Sequence, residues 1–322
     1  MSNARRSTIA ALCALAALAA PVLAQPRTSP PAPPAAANAN TGNLDLAYGA
    51  FQRGYYLTAL AEATKRAQQN DPAAMTLLGE IYAQGLGVGR DDGKATQWYK
   101  LAAAHGDRDA MFALAMFNFE GRGGPRNPDE AARMLAAAAK LGHAPAAYDL
   151  GLLYLQGQQF PQDFMRAAEL FRQAADAGNA EAQYALATMY KEGRGVPNDM
   201  GEATHLMELA SVAGNIDAMV EFAIAQFNGQ GTPKNEAAAA KLFLIAARSG
   251  SAIAQARLAR ILMAGRGMPA DATEAVKWHI IAKAGGAGDP ELDAFVSQQT
   301  QQVRDTAEKE AKKWLSTVPP RS

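Results

Sequence analysis

A period of 36 residues recurs six times in this chain without an insertion or a deletion. The fifteenth and thirty-sixth positions of the period are glycine in every copy, and the twenty-fifth is alanine in every copy. A fixed period of this length is typical of stacked supersecondary units, which present extended binding surfaces more often than catalytic sites. The copies, repeats one to six, are Asp71–Gly106, Asp107–Gly142, His143–Gly178, Asn179–Gly214, Asn215–Gly250 and Ser251–Gly286.

Each repeat is predicted to hold two helices. Its first position is an N-cap residue type in five copies, and the glycine at position fifteen should end the first helix in a left-handed conformation. Position twenty-one is always Asp or Asn, which should cap the second helix. A glutamate three residues later predicts a reciprocal capping box in three repeats, at Glu130, Glu202 and Glu274.

The N-terminal residues predict export. Arg5 and Arg6 precede an uncharged, Ala- and Leu-rich segment, and Val22-Leu23-Ala24 offers small residues at the cleavage subsites. This layout is typical of a secretory signal peptide over residues 1–24, because a membrane anchor needs an apolar core about twice as long. The paired arginines leave the twin-arginine route open, although the rest of that motif is missing and general secretion is favoured. We expect a periplasmic or secreted protein, cleaved near Ala24, whose mature chain does not insert into a membrane.

Three further segments flank the repeats. Residues 25–43 are rich in Pro and Ala and predict a disordered linker. Residues 44–70 resemble a degenerate first repeat with two helices joined by a short turn. Residues 287–322 predict a capping helix and tail, since an open stack needs a polar end for solubility. The repeat array between these flanks covers residues 71–286.

The repeats also carry a family resemblance. The pattern resembles the Sel-one-like repeat (SLR) family, a relative of tetratricopeptide repeats. The residues that carry it in repeat one are Leu78-Gly79, Tyr82, Gly85, Gly87-Val88, Asp91, Lys94-Ala95, Trp98-Tyr99, Ala102-Ala103 and Gly106. The resemblance implies an all-α fold, a right-handed α-solenoid of six helix–turn–helix repeats with a degenerate N-terminal helix pair and a C-terminal capping helix. Repeat three departs from the pattern, because Gln159 replaces the second loop glycine.

Little in the sequence predicts chemistry. The chain has 31 basic and 31 acidic residues and no long charge run, so no nucleic-acid partner is expected. The only cysteine, Cys13, lies in the predicted signal peptide, which leaves the mature chain without a thiol. The four histidines occupy four different repeat positions and show no metal-ligand spacing. We therefore expect no catalytic residue, no bound metal and no cofactor.

The resemblance implies a protein–protein interaction role. SLR proteins of the secreted bacterial type are similar to periplasmic regulators of envelope or exopolysaccharide output and to adaptors for cell-wall enzymes. We expect a non-catalytic periplasmic scaffold or regulator that binds another protein of unknown identity. The alternative is a cell-wall-acting hydrolase or β-lactam-binding enzyme, although the penicillin-binding SLR proteins are rich in cysteine and this mature chain is not.

The candidate binding surface lies on the first helices. Positions three, six, ten and thirteen of each repeat share one helix face, here called the first-helix face. By resemblance to tetratricopeptide repeats, this face lines the concave groove. Apolar and aromatic groups occupy it in the central repeats, and the alternative is that they only bury against the neighbouring first helix. The candidate residues are Phe112, Met116, Phe119, Tyr148, Leu152, Leu155, Tyr184, Val220, Ile224 and Phe227.

Overall fold

The computed structural model describes residues 45–317, which form sixteen helices and contain no strand. The predicted signal peptide and linker lie outside these described residues. None of the helices between residues 45 and 317 is both long enough and apolar enough to cross a membrane. The helices are α1 Leu46–Gln52, α2 Tyr56–Ala67, α3 Pro72–Gln84, α4 Asp92–Ala104, α5 Arg108–Glu120, α6 Pro128–Lys140, α7 Ala144–Gln156, α8 Phe164–Asp176, α9 Ala180–Glu192, α10 Met200–Val212, α11 Ile216–Asn228, α12 Glu236–Arg248, α13 Ala252–Ala264, α14 Ala272–Ala284, α15 Pro290–Ser297 and α16 Gln301–Thr317.

The repeats begin and end as the sequence pattern predicts. The first helix of every repeat is capped by the side chain at position one, including His143, whose Nδ1 accepts from the Ala146 N–H at 3.1 Å. The glycine at position fifteen ends each first helix in the left-handed region, with φ between +67° and +74°. The second helix ends in a Schellman motif, in which the next repeat's first N–H bonds back to a position-thirty-two carbonyl, as from Asp107 to Ala102 at 3.1 Å.

Only one of the two hydrogen bonds predicted for each capping box forms. The side chain at position twenty-one does cap the second helix, as where Asp199 accepts from the Glu202 N–H at 3.0 Å. The reciprocal bond from the glutamate side chain does not form, because the N–H at position twenty-one is already satisfied by a backbone carbonyl of the first helix. In repeat four this bond runs from Asp199 to the Tyr190 carbonyl at 3.1 Å, and the same bond occurs in four other repeats. Glu130 and Glu274 instead pair with Arg133 and Lys277, one turn along their own helices.

The two helices of a repeat approach closely where position nine is small. A Cβ added at Gly79 would lie 2.4 Å from the Tyr99 ring, and one added at Gly151 would lie 2.7 Å from the Phe171 ring. Both rings are buried, and forcing a methyl group against such a ring costs about 1–3 kcal/mol. The small residue at position nine therefore allows the second helix to pack closely onto the first helix of the same repeat.

The described residues divide into two compact units. The first contains residues 45–146 with Leu152–Gln162, and the second contains Ala147–Gly151 with residues 163–317. Within each unit, helices contact their neighbours in sequence. The core of the first unit includes Leu78, Ile81 and Tyr99, and a core cluster of the second includes Phe243, Leu258 and Trp278. The fold is thus an all-α solenoid of helix pairs rather than a single globular core.

Both ends of the array carry additional helices. At the N-terminal end, α1 and α2 form the expected short-turn pair, and the Phe51 and Tyr56 rings meet edge-on at 5.8 Å. At the C-terminal end, the segment predicted as one capping helix forms two, α15 and α16, with a break between them at residues 298–300. Leu292 is fully buried there, and Trp314 of α16 packs edge-on against Trp278 of repeat six at 5.9 Å.

Candidate functional site

In the first unit, the first-helix face is half-buried. Phe112 stacks on the ring of His143 with 4.7 Å between centroids, so this aromatic side chain is held by the residue that caps the next repeat. The His143 Nε2 lies 3.3 Å from Asp109, and this contact lowers the pKa of the Asp109 carboxyl. Four further candidates in this unit also retain partial exposure; they are Met116, Phe119, Leu152 and Leu155.

In the second unit, the first-helix face contains two half-buried tyrosines. The Tyr148 ring lies 5.7 Å from the ring of buried Phe171, and Tyr184 occupies the equivalent position in the next repeat. Burial raises the pKa of each phenol to about 12, and the neighbouring carboxylates Asp217 and Glu221 add to the shift at Tyr184. Both phenols are therefore neutral hydrogen-bonding groups near pH 7.

Of the three candidates in repeat five, one is buried in the core and two reach the surface. Val220 is only 5% exposed and belongs to the core cluster of the second unit. Ile224 and Phe227 are partly buried and pack against that cluster, but they also line an open cleft of about 330 Å³. The structure thus places two of the ten candidates together in a cavity that faces solvent.

This cavity, here called the Arg257 cleft, combines an apolar floor with a rim of three arginines and one glutamate. Most of its lining comes from α11 of repeat five and α13 of repeat six, and Phe243 of α12 and Glu291 of α15 complete it. The residues that define it are Ile224, Phe227, Met263, Arg257, Arg260 and Arg266. An apolar floor with convergent charged groups is the usual composition of a binding site.

Two of the three arginines are held by intramolecular contacts. Arg266 pairs with Glu236 of the preceding repeat and lies over the Phe227 ring, 4.6 Å from its centroid. Hydrogen bonds from Arg266 and Lys234 hold the pKa of the Glu236 carboxyl down to about 2. Arg260 pairs with Asp289 and lies 3.5 Å from the Glu291 carboxylate.

Arg257 differs from these two arginines. Its side chain is exposed, and among residues 45–317 it has no ion pair or hydrogen bond. It also lines a second hollow of about 260 Å³, together with Ile253 and Ala256 of the same helix and the Arg260–Asp289 pair. Arg257 therefore borders two hollows, and no carboxylate of residues 45–317 pairs with its guanidinium.

The arginines and Met263 were not among the sequence candidates. Arg260 and Met263 occupy positions ten and thirteen of repeat six, so they lie on the first-helix face by the same spacing rule. Neither is a candidate, because the candidates are the apolar and aromatic residues of the central repeats. Arg257 is at position seven, one turn from Arg260. A search for charged residues at positions seven and ten would have found both.

Two of the four histidines have structural roles. His143 caps α7, and His279 is 2% exposed with its Nε2 2.8 Å from Asp293 of α15. His105 and His205 are exposed. In the described part of the chain, no group of three or more His, Cys, Asp or Glu side chains could hold a metal ion.

Comparison with known proteins agrees with the repeat architecture. The Sel1 repeat family model matches residues 72–107, 108–143, 144–179, 180–215, 216–251 and 252–286. A crystal structure of a Sel1 repeat protein from Oxalobacter formigenes is 27% identical and superposes with a TM-score of 0.63. That match covers 74% of this chain and 97% of the other.

A second solved structure has the same fold. It is a protective antigen of uropathogenic Escherichia coli strains displaying an SLR fold, 24% identical, with a TM-score of 0.56 over 81% of this chain and 64% of the antigen. No curated protein matches the chain in sequence. Sel1 repeat proteins are protein–protein interaction scaffolds and are generally non-catalytic. The family model covers six consecutive repeats, and this chain therefore belongs to the Sel1 repeat family.

Proposed function

We propose that this protein is a non-catalytic scaffold that binds another protein through the first-helix face. One observation carries the proposal: the Arg257 cleft leaves Ile224, Phe227 and Met263 partly open to solvent beside an arginine that has no partner among residues 45–317. Side chains needed only for packing would be covered by the neighbouring helix. An apolar cavity with a charged rim is instead typical of a surface that a partner segment covers.

The proposal extends to both units, each with its own part of the face. In the first unit, Phe112, Met116, Phe119, Leu152 and Leu155 are the proposed partner contacts. In the second unit, the proposed contacts are Tyr148, Tyr184, Val220, Ile224 and Phe227, with Val220 supporting the others from the core. Aromatic side chains in such positions are common anchors of protein interfaces.

We also propose that the protein acts outside the cytoplasm. The support is the Arg5-Arg6 pair, the short apolar segment and the Val22-Leu23-Ala24 cleavage sequence. A role in envelope or exopolysaccharide signalling follows from the resemblance to secreted SLR proteins. Edman sequencing of the protein from a periplasmic fraction should give Gln25 as the first residue, whereas a membrane-bound chain beginning at Met1 would contradict export.

Site-specific photo-crosslinking tests the scaffold function. A benzoylphenylalanine in place of Asn228, an exposed residue that lines the Arg257 cleft, should give a discrete adduct with one protein in cells. The same group at Lys241, an exposed residue of the second helix of repeat five, should not give that adduct. The adduct at position 228 should be lost when Phe227→Ala is added. An adduct that forms equally from both positions, or survives Phe227→Ala, would contradict binding through this face.

A turnover assay tests the non-catalytic part of the proposal. The purified mature protein should leave an excess of a chromogenic cephalosporin intact over hours. The physical reason is that the described histidines with partners are used for capping and for an ion contact rather than for activating a nucleophile. Multiple turnovers by the purified protein would identify an enzyme instead.

A further inference from the structure

We propose that the Arg257 cleft binds a partner segment in which an acidic side chain is flanked by apolar side chains. This inference rests on the proposed function and specifies the chemistry of the partner at that site. It concerns one cleft within the second unit and does not require the candidates in the first unit.

The first step is the uncompensated charge of Arg257. Arg260 and Arg266 each bind a carboxylate of this chain, but Arg257 binds none among the described residues. Its exposure means that the guanidinium is hydrated and accessible to a ligand. A carboxylate is its natural complement, because guanidinium and carboxylate form two parallel charge-assisted hydrogen bonds.

The second step is the position of Arg257 between two hollows. On one side lies the cleft of about 330 Å³, with Ile224, Phe227 and Met263. On the other side lies the hollow of about 260 Å³, where Ile253 is 59% exposed. A carboxylate bound to Arg257 would bring the residues before and after it to these two hollows. Both hollows contain exposed apolar surface, so apolar flanking residues gain the most from burial there.

The third step excludes a polyanion as the occupant. Asp217 lies on the same face of α11 as Ile224, two turns or about 10 Å toward the N-terminus. At the cleft itself, Glu291 shares Arg260 with Asp289, so two carboxylates meet one guanidinium there. A nucleic acid that reached Arg257 would bring further phosphates toward Asp217 and these carboxylates, which repel them. A protein segment with a single acidic residue between apolar ones avoids this repulsion.

A peptide selection tests this chemistry. Random twelve-residue peptides displayed through their C-terminal ends are selected on the immobilised mature protein, so that no free terminal carboxylate is presented. The enriched sequences should share an Asp or Glu with Leu, Ile, Val, Phe or Met on both sides. The dissociation constants of amidated synthetic copies are then measured by fluorescence anisotropy.

Two arginine variants separate a direct contact from a general charge effect. Arg257→Ala should weaken binding about tenfold or more, because a charge-assisted pair is lost. Arg248→Ala removes another exposed cation, at the end of α12, and should leave the affinity unchanged. Replacing the peptide's Glu by Gln should weaken binding to the native protein and have no further effect on Arg257→Ala. Circular dichroism melting should be the same for both variants and the native protein.

Several results would overturn the inference. These are the absence of enriched peptides, enriched peptides without an acidic residue, and equal weakening by Arg257→Ala and Arg248→Ala. If the peptides bind Arg257→Ala as tightly as the native protein but bind Phe227→Ala more weakly, the acidic preference is contradicted. The proposed scaffold function is not contradicted by that result. Failure of the proposed scaffold function would instead appear in cells as the absence of any crosslinked adduct that depends on Phe227.

Discussion

At the residue scale, the two loop glycines of repeat four have different physical roles. Gly193, at position fifteen, has φ +67°, but a Cβ there would meet Asn198 no closer than 3.4 Å. Gly195, at position seventeen, has φ +69°, and a Cβ there would lie 2.2 Å from the Phe164 carbonyl oxygen of the preceding repeat. The first glycine is required by backbone conformation alone, and the second is required also by contact between repeats.

These roles predict unequal effects of the same substitution. Gly193→Ala should lower the free energy of unfolding by about 1–2 kcal/mol, through the strain of a left-handed alanine. Gly195→Ala should lower it more, since the backbone of Phe164 must also move. Urea unfolding followed by circular dichroism measures both values. Equal losses would show that the contact at position seventeen is relaxed at no cost, and no loss at Gly193 would show that its conformation is not required.

Arg122 is a second residue whose role is set by the neighbouring repeat. Its Nη2 donates to Asp92 of repeat one at 2.8 Å, and its guanidinium lies 4.1 Å from the Phe117 ring centroid. Arg90 also donates to Asp92, at 2.9 Å. The two arginines, Arg122 first, hold the pKa of the Asp92 carboxyl well below its usual range.

This lowered pKa predicts an acid-dependent contribution to stability. The charged Asp92 stabilises the fold above its unfolded pKa of about 3.9 and loses this effect as the pH falls toward the folded value. Asp92→Asn should therefore lower the free energy of unfolding by about 1 kcal/mol at pH 7, with a difference that shrinks below about pH 4. Asp176→Asn, at an exposed site, serves as the control in urea titrations at each pH. A difference for Asp92→Asn that grows on acidification would have the wrong sign.

At the element scale, the local signals predicted the helix ends because each signal acts within a few residues. The caps at Asp71, Asp107 and Asp199 and the turn at Gly193 need only their own neighbours to form. The capping box at Glu202 was predicted wrongly because the Asp199 N–H is bound to the Tyr190 carbonyl. That bond joins the two helices of a repeat, and the local sequence pattern contains no information about it.

This difference gives a test at the start of α10. Asp199→Ala should lower the free energy of unfolding by about 1 kcal/mol, because the cap of the Glu202 N–H is lost. Glu202→Ala should cost less than about 0.5 kcal/mol, since its exposed side chain contributes only through the helix dipole. Chemical denaturation of the two variants compares them directly. Equal losses of unfolding free energy would indicate that the Glu202 side chain does form the reciprocal capping bond.

The Arg257 cleft could be predicted only in part. The helical spacing placed Ile224 and Phe227 on one face, and both line the cleft. The spacing could not show that Val220, on the same face, is buried in the core. Nor could it show that Arg260 and Arg266 are paired while Arg257 has no partner in the described part of the chain, because their carboxylate partners lie at the N-terminal ends of α15 and α12. Burial and pairing depend on how adjacent repeats stack.

At the scale of the whole molecule, the packing of helix pairs on their neighbours provides both the stability and the proposed binding surface. Each helix pair buries its large residues against its neighbours in sequence, as Trp278 does against Trp314 of the terminal helix. Within each unit, the first helices of the repeats carry the same repeat positions, and the side chains at these positions differ from repeat to repeat. A regular stack with variable surface positions is the property that suits Sel1 repeats to binding other proteins.

Measuring affinity and melting temperature on the same variants separates binding from stability at the first-helix face. Phe119→Ala and Phe227→Ala are measured for affinity to the partner recovered by crosslinking and for melting temperature, each beside the native protein. Binding through this face predicts a loss of affinity of about tenfold or more for Phe227→Ala, with a melting temperature lowered by only a few degrees. A large fall in melting temperature with affinity intact would assign these residues to the core and contradict binding through the first-helix face.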